Sequence, residues 1–427
     1  MKMTSRVLRA LSLSLLQIIA LLLPAQAAEV VVSKQINEPQ HTDSLVASIV
    51  TAAPGREVYQ LEGHAALRLR KYTTDSVTAQ QHQVYDVAVN WGVFDFASPN
   101  FLYRFVKGET DYMAAAYPFE IFLREYIAEN RRVVEQQLNL TTEEALRLEA
   151  LVTENLRPEN CTYRYNYVKD NCATRPLALV EAAIGSKIIL NDTVAADADR
   201  LTFRREMTRY HAHYPWYQFG IDLALGSGID YNVTARERTF APIYLQRQLN
   251  TATRLKADGR LTPMVTATRV LVDGAEDGVQ LDATPALLTP MAASIALLLL
   301  TIVLSVRDVR RKRLTRLFDT LFYLCCFVCG CVLTFLIFVS VHEATSPNWL
   351  YLWLNPLCLI PALCVWIKKC KCVVYWYQIC NFAMLMLLLA GHHFLGQALN
   401  AAFPILILCD LIRSATQIYV CRCAKIG

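Results

Sequence analysis

Between Ala28 and Asp282 the sequence has only two cysteines and no apolar run long enough to cross a bilayer. That rules out a disulfide-stapled scaffold, so this stretch of roughly 250 residues must fold around an ordinary hydrophobic core. It also lacks a phosphate-cradling glycine loop. Gly220, Gly226 and Gly228 cluster in "WYQFGIDLALGSGIDYNVT" without the required spacing, which leaves a loop that could line a substrate cleft. There is no internal repeat and no low-complexity segment. The 42 Lys and Arg exceed the 37 Asp and Glu only slightly, and much of that excess lies in short loops suited to anionic lipid, so no nucleic acid is called for.

The two ends of the chain differ from this middle. Lys2, Arg6 and Arg9 precede the apolar run "LSLSLLQIIALLLP", and Ala25 and Ala27 follow it as small residues at a cleavage site. Residues 1–27 therefore read as a secretory signal peptide, and 28–285 as a periplasmic catalytic domain. Residues 286–427 read as a membrane domain. Its apolar runs, Leu287 to Val306, Leu317 to Val341, Leu350 to Ile367, Val373 to Ala390 and Ala401 to Val420, are each near the roughly 20 residues that a spanning helix needs. They predict five spans, the third kinked or shortened by Pro356 and Pro361. "RDVRRKRLTR", "KKCKC" and the tail "CRCAKIG" carry the basic residues, whereas "HEATSPNW" and "GHHFLGQALN" carry none. The positive-inside rule then predicts a multi-pass protein of the cytoplasmic (inner) membrane, with its soluble domain in the periplasm and its C-terminus in the cytoplasm. Asp410 and Arg413, about one helical turn apart, are expected to pair within the last span.

Twelve of the 14 cysteines lie at or beyond Cys325, where thiols serve as small packing residues and no metal or cofactor is called for. Only Cys161 and Cys172 face the oxidising side. They could form a disulfide, but Cys172 lies between a strand-like "TYRYNYV" and a helical "LALVEAAIG". Free N–H groups and the dipole at a helix start favour a thiolate, which suits a nucleophile.

A thiol nucleophile needs an imidazole. His41 and His82 fall in polar segments, and His211 and His213 belong to "YHAHYPW", read as a surface turn. His64 opens "HAALRLR", an alternating strand after Gly63. If this strand and "HQVYDVAVNWG" form a hairpin centred near Ser76, His64 falls opposite Ala88 to Asn90. Asn90 is then the orienting partner of the imidazole, with Asp86 in reserve.

The chain order, histidine strand before cysteine helix, is that of permuted papain-like hydrolases and acyltransferases. With it, "GHAALRL", "VNWGVFDFASPNFLYRFVKGETDY", "NRRVVEQQLNLTTEE" and "YRYNYVKDNCATRP" resemble the membrane-bound lipoprotein N-acyltransferases of the Bacteroides type (Lnb), strongly over about Val58 to Leu245. The resemblance implies an α+β fold: a permuted papain-like (NlpC-like) periplasmic domain followed by an α-helical membrane domain of five spans. It also implies acyl transfer from a phospholipid donor through a thioester on Cys172, with His64 as base, to a diacylated lipoprotein acceptor. A membrane-anchored peptidoglycan amidase or endopeptidase would use the same residues, and a non-enzymatic assembly factor would use the cysteines as a disulfide. Three plainer expectations complete the reading. Phe94, Phe96, Phe101 and Phe105 are spaced for a core or for a membrane-facing acyl groove, and a core is expected; "LTTEE" starts a helix; and Arg175 pairs with Asp170 rather than countering a phosphate head group.

Overall fold

The computed structural model describes residues 42–75, 78–191, 201–256, 258–275 and 284–426. The expected signal peptide and His41 lie outside them. The strands are β1 (Thr42–Ala52), β2 (His64–Thr74), β3 (Gln81–Val93), β4 (Asp111–Pro118), β5 (Val133–Leu138), β6 (Thr162–Arg164), β7 (Thr253–Leu255), β8 (Leu261–Pro263) and β9 (Val265–Val272). The helices preceding the membrane segment are α1 (Phe101–Lys107), α2 (Phe119–Ala128), α3 (Thr142–Asn155), α4 (Thr174–Ile184), α5 (Phe203–Tyr210), α6 (Pro215–Ala224), α7 (Ala235–Arg238) and α8 (Pro242–Leu249). Then come α9 (Pro290–Arg311), α10 (Arg316–Phe338), α11 (Leu359–Cys364), α12 (Lys371–Gly391) and α13 (Ala402–Ile426).

Seven strands form one sheet in the order β6-β4-β3-β2-β1-β5-β9. Alternation along β2 decides what each face holds. Ala65, Leu67 and Leu69 join Leu148 and Val152 of α3 and Leu177, Val180 and Ala183 of α4 in the main core. On the opposite face, Ala66 and Ala88 pack against Phe119, Phe122 and Tyr126 of α2. The Thr141 capping box starts α3, as "LTTEE" implied. The segment after Leu245, whose fold was open from the sequence alone, supplies β9, the edge strand paired antiparallel with β5.

Among the described residues, four helices, α9, α10, α12 and α13, belong to segments long and apolar enough to span a membrane. The third predicted span is shortened and broken, as Pro356 and Pro361 implied. Trp349–Cys364 is a shorter apolar stretch broken into 3-10 turns at Trp349–Leu352 and Pro356–Cys358 before α11. Pro356 cannot donate a helical hydrogen bond, and Asn355 Oδ1 accepts from the Leu357 N–H instead, at 3.1 Å. Irregular backbone at this depth must be enclosed by protein, and Leu350, Trp353, Leu354 and Cys358 are buried.

Asp410 and Arg413 do not pair with each other. Arg413 binds Asp319 (2.7 and 2.9 Å) and Asp308 (3.0 Å) from α10 and α9. Asp410 accepts from Tyr323, Trp353 and Asn381. Three residues advance a side chain by most of a turn, but each group here finds a better-aligned partner on a neighbouring helix.

The soluble domain sits on the loops that lack lysine and arginine. The Gly226 N–H donates to Ala344 O at 2.9 Å and the Ser227 N–H to Pro347 O at 2.8 Å. Asn348 Nδ2 donates to Leu223 O and Asn400 Nδ2 to Asp222 Oδ2, and Lys169 pairs with Glu343. The Gly226–Gly228 loop, expected at a cleft, therefore lies in this seam: a Cβ at Gly226 would meet Pro347 O at 2.2 Å.

Candidate active site

Gly63 fixes where β2 begins. It has a φ of +82°, and a Cβ there would lie 2.5 Å from Ala52 O, so any other residue would displace the next side chain, His64. His64 Nε2 lies 2.9 Å from Asn90 Oδ1. Asn90 Nδ2 donates to Ala88 O at 3.4 Å, which turns Oδ1 toward the ring. Nε2 therefore carries the proton, and Nδ1 keeps the lone pair that a base needs. Asp86 is engaged elsewhere, in a two-point pair with Arg68 at 2.8 and 2.6 Å.

Cys172 lies two residues before α4. The helix-start N–H groups of Ala173 and Thr174 are held by Asn171 Oδ1 at 2.9 and 3.0 Å, so they are not free to face the sulfur as the sequence suggested. Asn171 is itself pinned, its Nδ2 donating to Tyr167 O and Phe240 O at 2.8 Å. Burial pushes the Cys172 thiol up to about 11; its own N–H, the Ala65 N–H and the Tyr165 hydroxyl oppose that shift, while Glu62 adds to it. The Ala65 contact brings the sulfur to the start of β2, where His64 stands. Burial likewise lowers the His64 pKa below its ordinary value, aided by Arg131 and opposed by the Asn90 bond. The resting pair is thus neutral thiol and neutral imidazole, contrary to the thiolate expected from the helix dipole.

This has a measurable consequence. Alkylation of Cys172 by iodoacetamide should accelerate about tenfold per pH unit from pH 7 toward 11, since only the thiolate reacts. A rate already flat at neutral pH would mean a resting ion pair. For His64 the sign runs the other way: a lowered pKa keeps the base unprotonated at and somewhat below pH 6.5, so the acid limb of kcat/KM for an acyl donor should fall below that value.

Three participants were not legible in the sequence. Tyr165 reaches Cys172 because Gly92 leaves room: with φ +89°, a Cβ there would press on the Tyr165 ring at 3.1 Å. Burial raises the Tyr165 pKa well above its ordinary value, so it remains a hydrogen-bond donor. His211, read as part of a surface turn, is buried, with Nδ1 2.7 Å from Gln218 Oε1 and Nε2 2.8 Å from Glu62 Oε1. With both nitrogens engaged, it has none to offer Cys172. Glu62 also closes this link two residues before His64, a position that could have been flagged from its place beside Gly63. His82 and His213 are exposed, Cys161 and Cys172 are both free thiols, and Arg175 holds Asp170 at 2.5 and 2.8 Å.

A sheet with a histidine strand, followed in the chain by a helix with a cysteine at its mouth, all docked on a multi-helix membrane domain, defines a membrane-anchored α+β protein. Residues 33–208 match the family profile described as the Lnb N-terminal periplasmic domain, and residues 282–424 match that of the Lnb transmembrane domain. The chain belongs to the Lnb family, a family of membrane enzymes that modify lipoproteins, and is a multi-pass protein with a periplasmic N-terminal domain. Searches of curated proteins and of solved structures return no match.

Proposed function

We propose that the chain is a lipoprotein N-acyltransferase of the cytoplasmic (inner) membrane, with its C-terminus in the cytoplasm, and that Cys172, His64 and Asn90 carry the reaction. The observation behind this reading is the site's setting: a buried thiol beside an Asn-oriented imidazole, in a domain fastened to the non-basic ends of membrane helices. Both proposed substrates are lipids of the adjoining leaflet, so fastening the site there replaces a search in three dimensions with a local one. The cytoplasmic C-terminus follows from the basic segments Arg307 to Arg316 and Lys368 to Cys372.

In the first half-reaction Cys172 Sγ attacks an ester carbonyl of a phospholipid. Its proton passes to His64 Nδ1 as the S–C bond forms, and His64 returns it to the lysolipid oxygen as the C–O bond breaks. Neutral thiol and neutral imidazole suit this step, because the proton moves only when the carbonyl is in place. Asn90 engages Nε2, which leaves Nδ1 as the nitrogen that takes the proton. The oxyanion has two donors at hand, the Cys172 N–H and the Tyr165 hydroxyl, and burial strengthens both. In the second half-reaction the α-amine of the diacylglyceryl-cysteine attacks the thioester. His64, neutral again, takes the amine proton, and the thiol leaves.

The experiment is to catch the intermediate. The full-length protein in phospholipid nanodiscs without acceptor should gain the mass of one acyl chain on Cys172, removable by hydroxylamine. A diacylglyceryl-cysteinyl peptide should discharge it to an N-acyl product. Cleavage of muropeptides without any acyl adduct would favour the amidase. The absence of both would exclude thiol chemistry.

A further inference from the structure

None of the four phenylalanines expected in a core is fully buried: Phe94 and Phe101 are half-buried, and Phe96 and Phe105 are exposed. Helix α1 has no buried residue, and Phe96, Leu102, Tyr103 and Phe105 are all exposed, Leu102 by 73%. Water is a poor neighbour for such a cluster, and exposed apolar patches of this kind mark interaction sites. The end of α1 is tied to the chain just beyond α10. Ser340 Oγ donates to Val106 O at 2.9 Å, the Val341 N–H donates to Lys107 O at 2.8 Å, and His342 Nε2 contacts Phe105 O at 2.9 Å.

Between the two helices lies a groove of about 320 Å³, lined by Leu102, Tyr103 and Val106 of α1 and by Val332 and Phe335 of α10. The Tyr103 and Phe335 rings are 5.9 Å apart. Val332 lies six residues before the end of α10, about 9 Å along its axis, so the groove opens at the depth of lipid tails. A peptide laid there would leave its backbone groups without partners; an acyl chain has none to satisfy.

Beside this groove, from Phe105 on the same helix, a file of aromatic rings runs to Cys172. Phe105 stacks on Phe101 at 5.8 Å and Phe101 on Phe94 at 5.8 Å. Phe94 meets Tyr112 at 5.2 Å, and Tyr112 stacks on Tyr165 at 4.5 Å. The Tyr165 hydroxyl then faces Cys172.

The geometry points to a binding site for one lipid acyl chain, its tail in the α1–α10 groove and its carboxyl end led along the aromatic file to Cys172. The destination at Cys172 rests on the acyltransfer reading; occupancy of the groove does not. α1 is thus an interfacial helix that draws one chain out of the bilayer, with the apolar surface of α10 continuing from the membrane into the groove.

The test uses full-length protein carrying Cys172→Ser, to prevent turnover, in phosphatidylethanolamine nanodiscs. These contain a phospholipid with a diazirine either at the end of one acyl chain or near its ester. After photolysis, the terminal probe should label Leu102 to Val106, and the ester-proximal probe should label Phe94 or Tyr112. Val106→Trp and the exposed Leu102→Trp, which fill the groove, should each lower labelling of α1 by at least about fivefold. Labels confined to the outward faces of the spans, such as Leu299 and Val303, or labelling of α1 that neither tryptophan reduces, would overturn the site. If α1 is labelled but the parent protein forms no thioester, the acyltransfer reading fails and the lipid site stands.

Discussion

Replacing His64 with alanine should slow formation of the acyl-thioester by roughly 10² to 10⁴-fold, the usual contribution of a positioned general base. Replacing Cys172 with serine should abolish it. Both follow from a thiol that burial keeps protonated: without a base, attack on an ester depends on the scarce thiolate. The graded variants carry the argument. Asn90→Ala leaves the imidazole in place but frees it to rotate and to exchange tautomers, and a misplacement of that order costs about 10²-fold or less. Asp86→Asn should leave the rate near the parent's, because Asp86 serves Arg68, and Arg68 retains Glu135 at 3.2 Å. Cys161→Ser should be silent. The measurement is the mass of lipoprotein N-termini from cells dependent on this chain, with rates on purified protein. Equal losses for the Asp86 and Asn90 variants would transfer the orienting role to Asp86. A loss in Cys161→Ser matching that in Cys172→Ser would revive the disulfide.

The His64–Asn90 contact could be anticipated because a hairpin's register is local. His64–Asn90 and Arg68–Asp86 lie symmetrically about the same centre; an approximate centre brought Asn90 opposite His64 but left Asp86 in reserve for the imidazole, whereas Asp86 pairs with Arg68. The cysteine at a helix mouth was legible for a similar reason, since strand, turn and helix follow one another within a few residues. What could not be read depends on partners distant in the chain. His211 sits in polar company in the sequence and is buried only because Glu62, 149 residues earlier, meets it. Burial, which the local sequence does not show, pushes the Cys172 thiol up, and Asn171 occupies the helix-start N–H groups that were expected to hold a thiolate. The aromatic stripe of α1 was assigned to a core by composition, and no periodicity distinguishes a core face from one lying against lipid. The spans were found by hydropathy and the break in the third by its prolines, but neither shows that Leu350, Trp353, Leu354 and Cys358 are enclosed by neighbouring helices.

Arg413→Leu should destabilise the membrane domain by about 3–5 kcal/mol, the cost of leaving a buried carboxylate without its cation. Arg413 and Asp319 are both fully buried, at 2.7 and 2.9 Å, and Asp308 adds a second carboxylate at 3.0 Å. Ser305 Oγ accepts from the same guanidinium at 3.0 Å, so α9, α10 and α13 converge on one side chain. The effect should far exceed that of the exposed i,i+4 pair Arg124–Glu120, for which a few tenths of a kcal/mol is typical. Asp308 retains Arg307 nearby, at 3.7 Å, and the Thr315 N–H at 2.7 Å. Asp319 is therefore the group exposed by the loss, and adding Asp319→Asn should recover much of the stability. Arg413→Lys should recover less, because a single ammonium cannot meet two carboxylates in the planar geometry of the guanidinium. The measurement is denaturant or thermal unfolding of the detergent-solubilised chain. If Arg413→Leu is as stable as the parent, or Asp319→Asn brings no recovery, the cluster does not hold the helices together. Because the catalytic domain is fastened to the opposite, non-basic ends of the same bundle, loss of this cluster should also lower thioester formation while leaving the pH dependence of Cys172 alkylation unchanged.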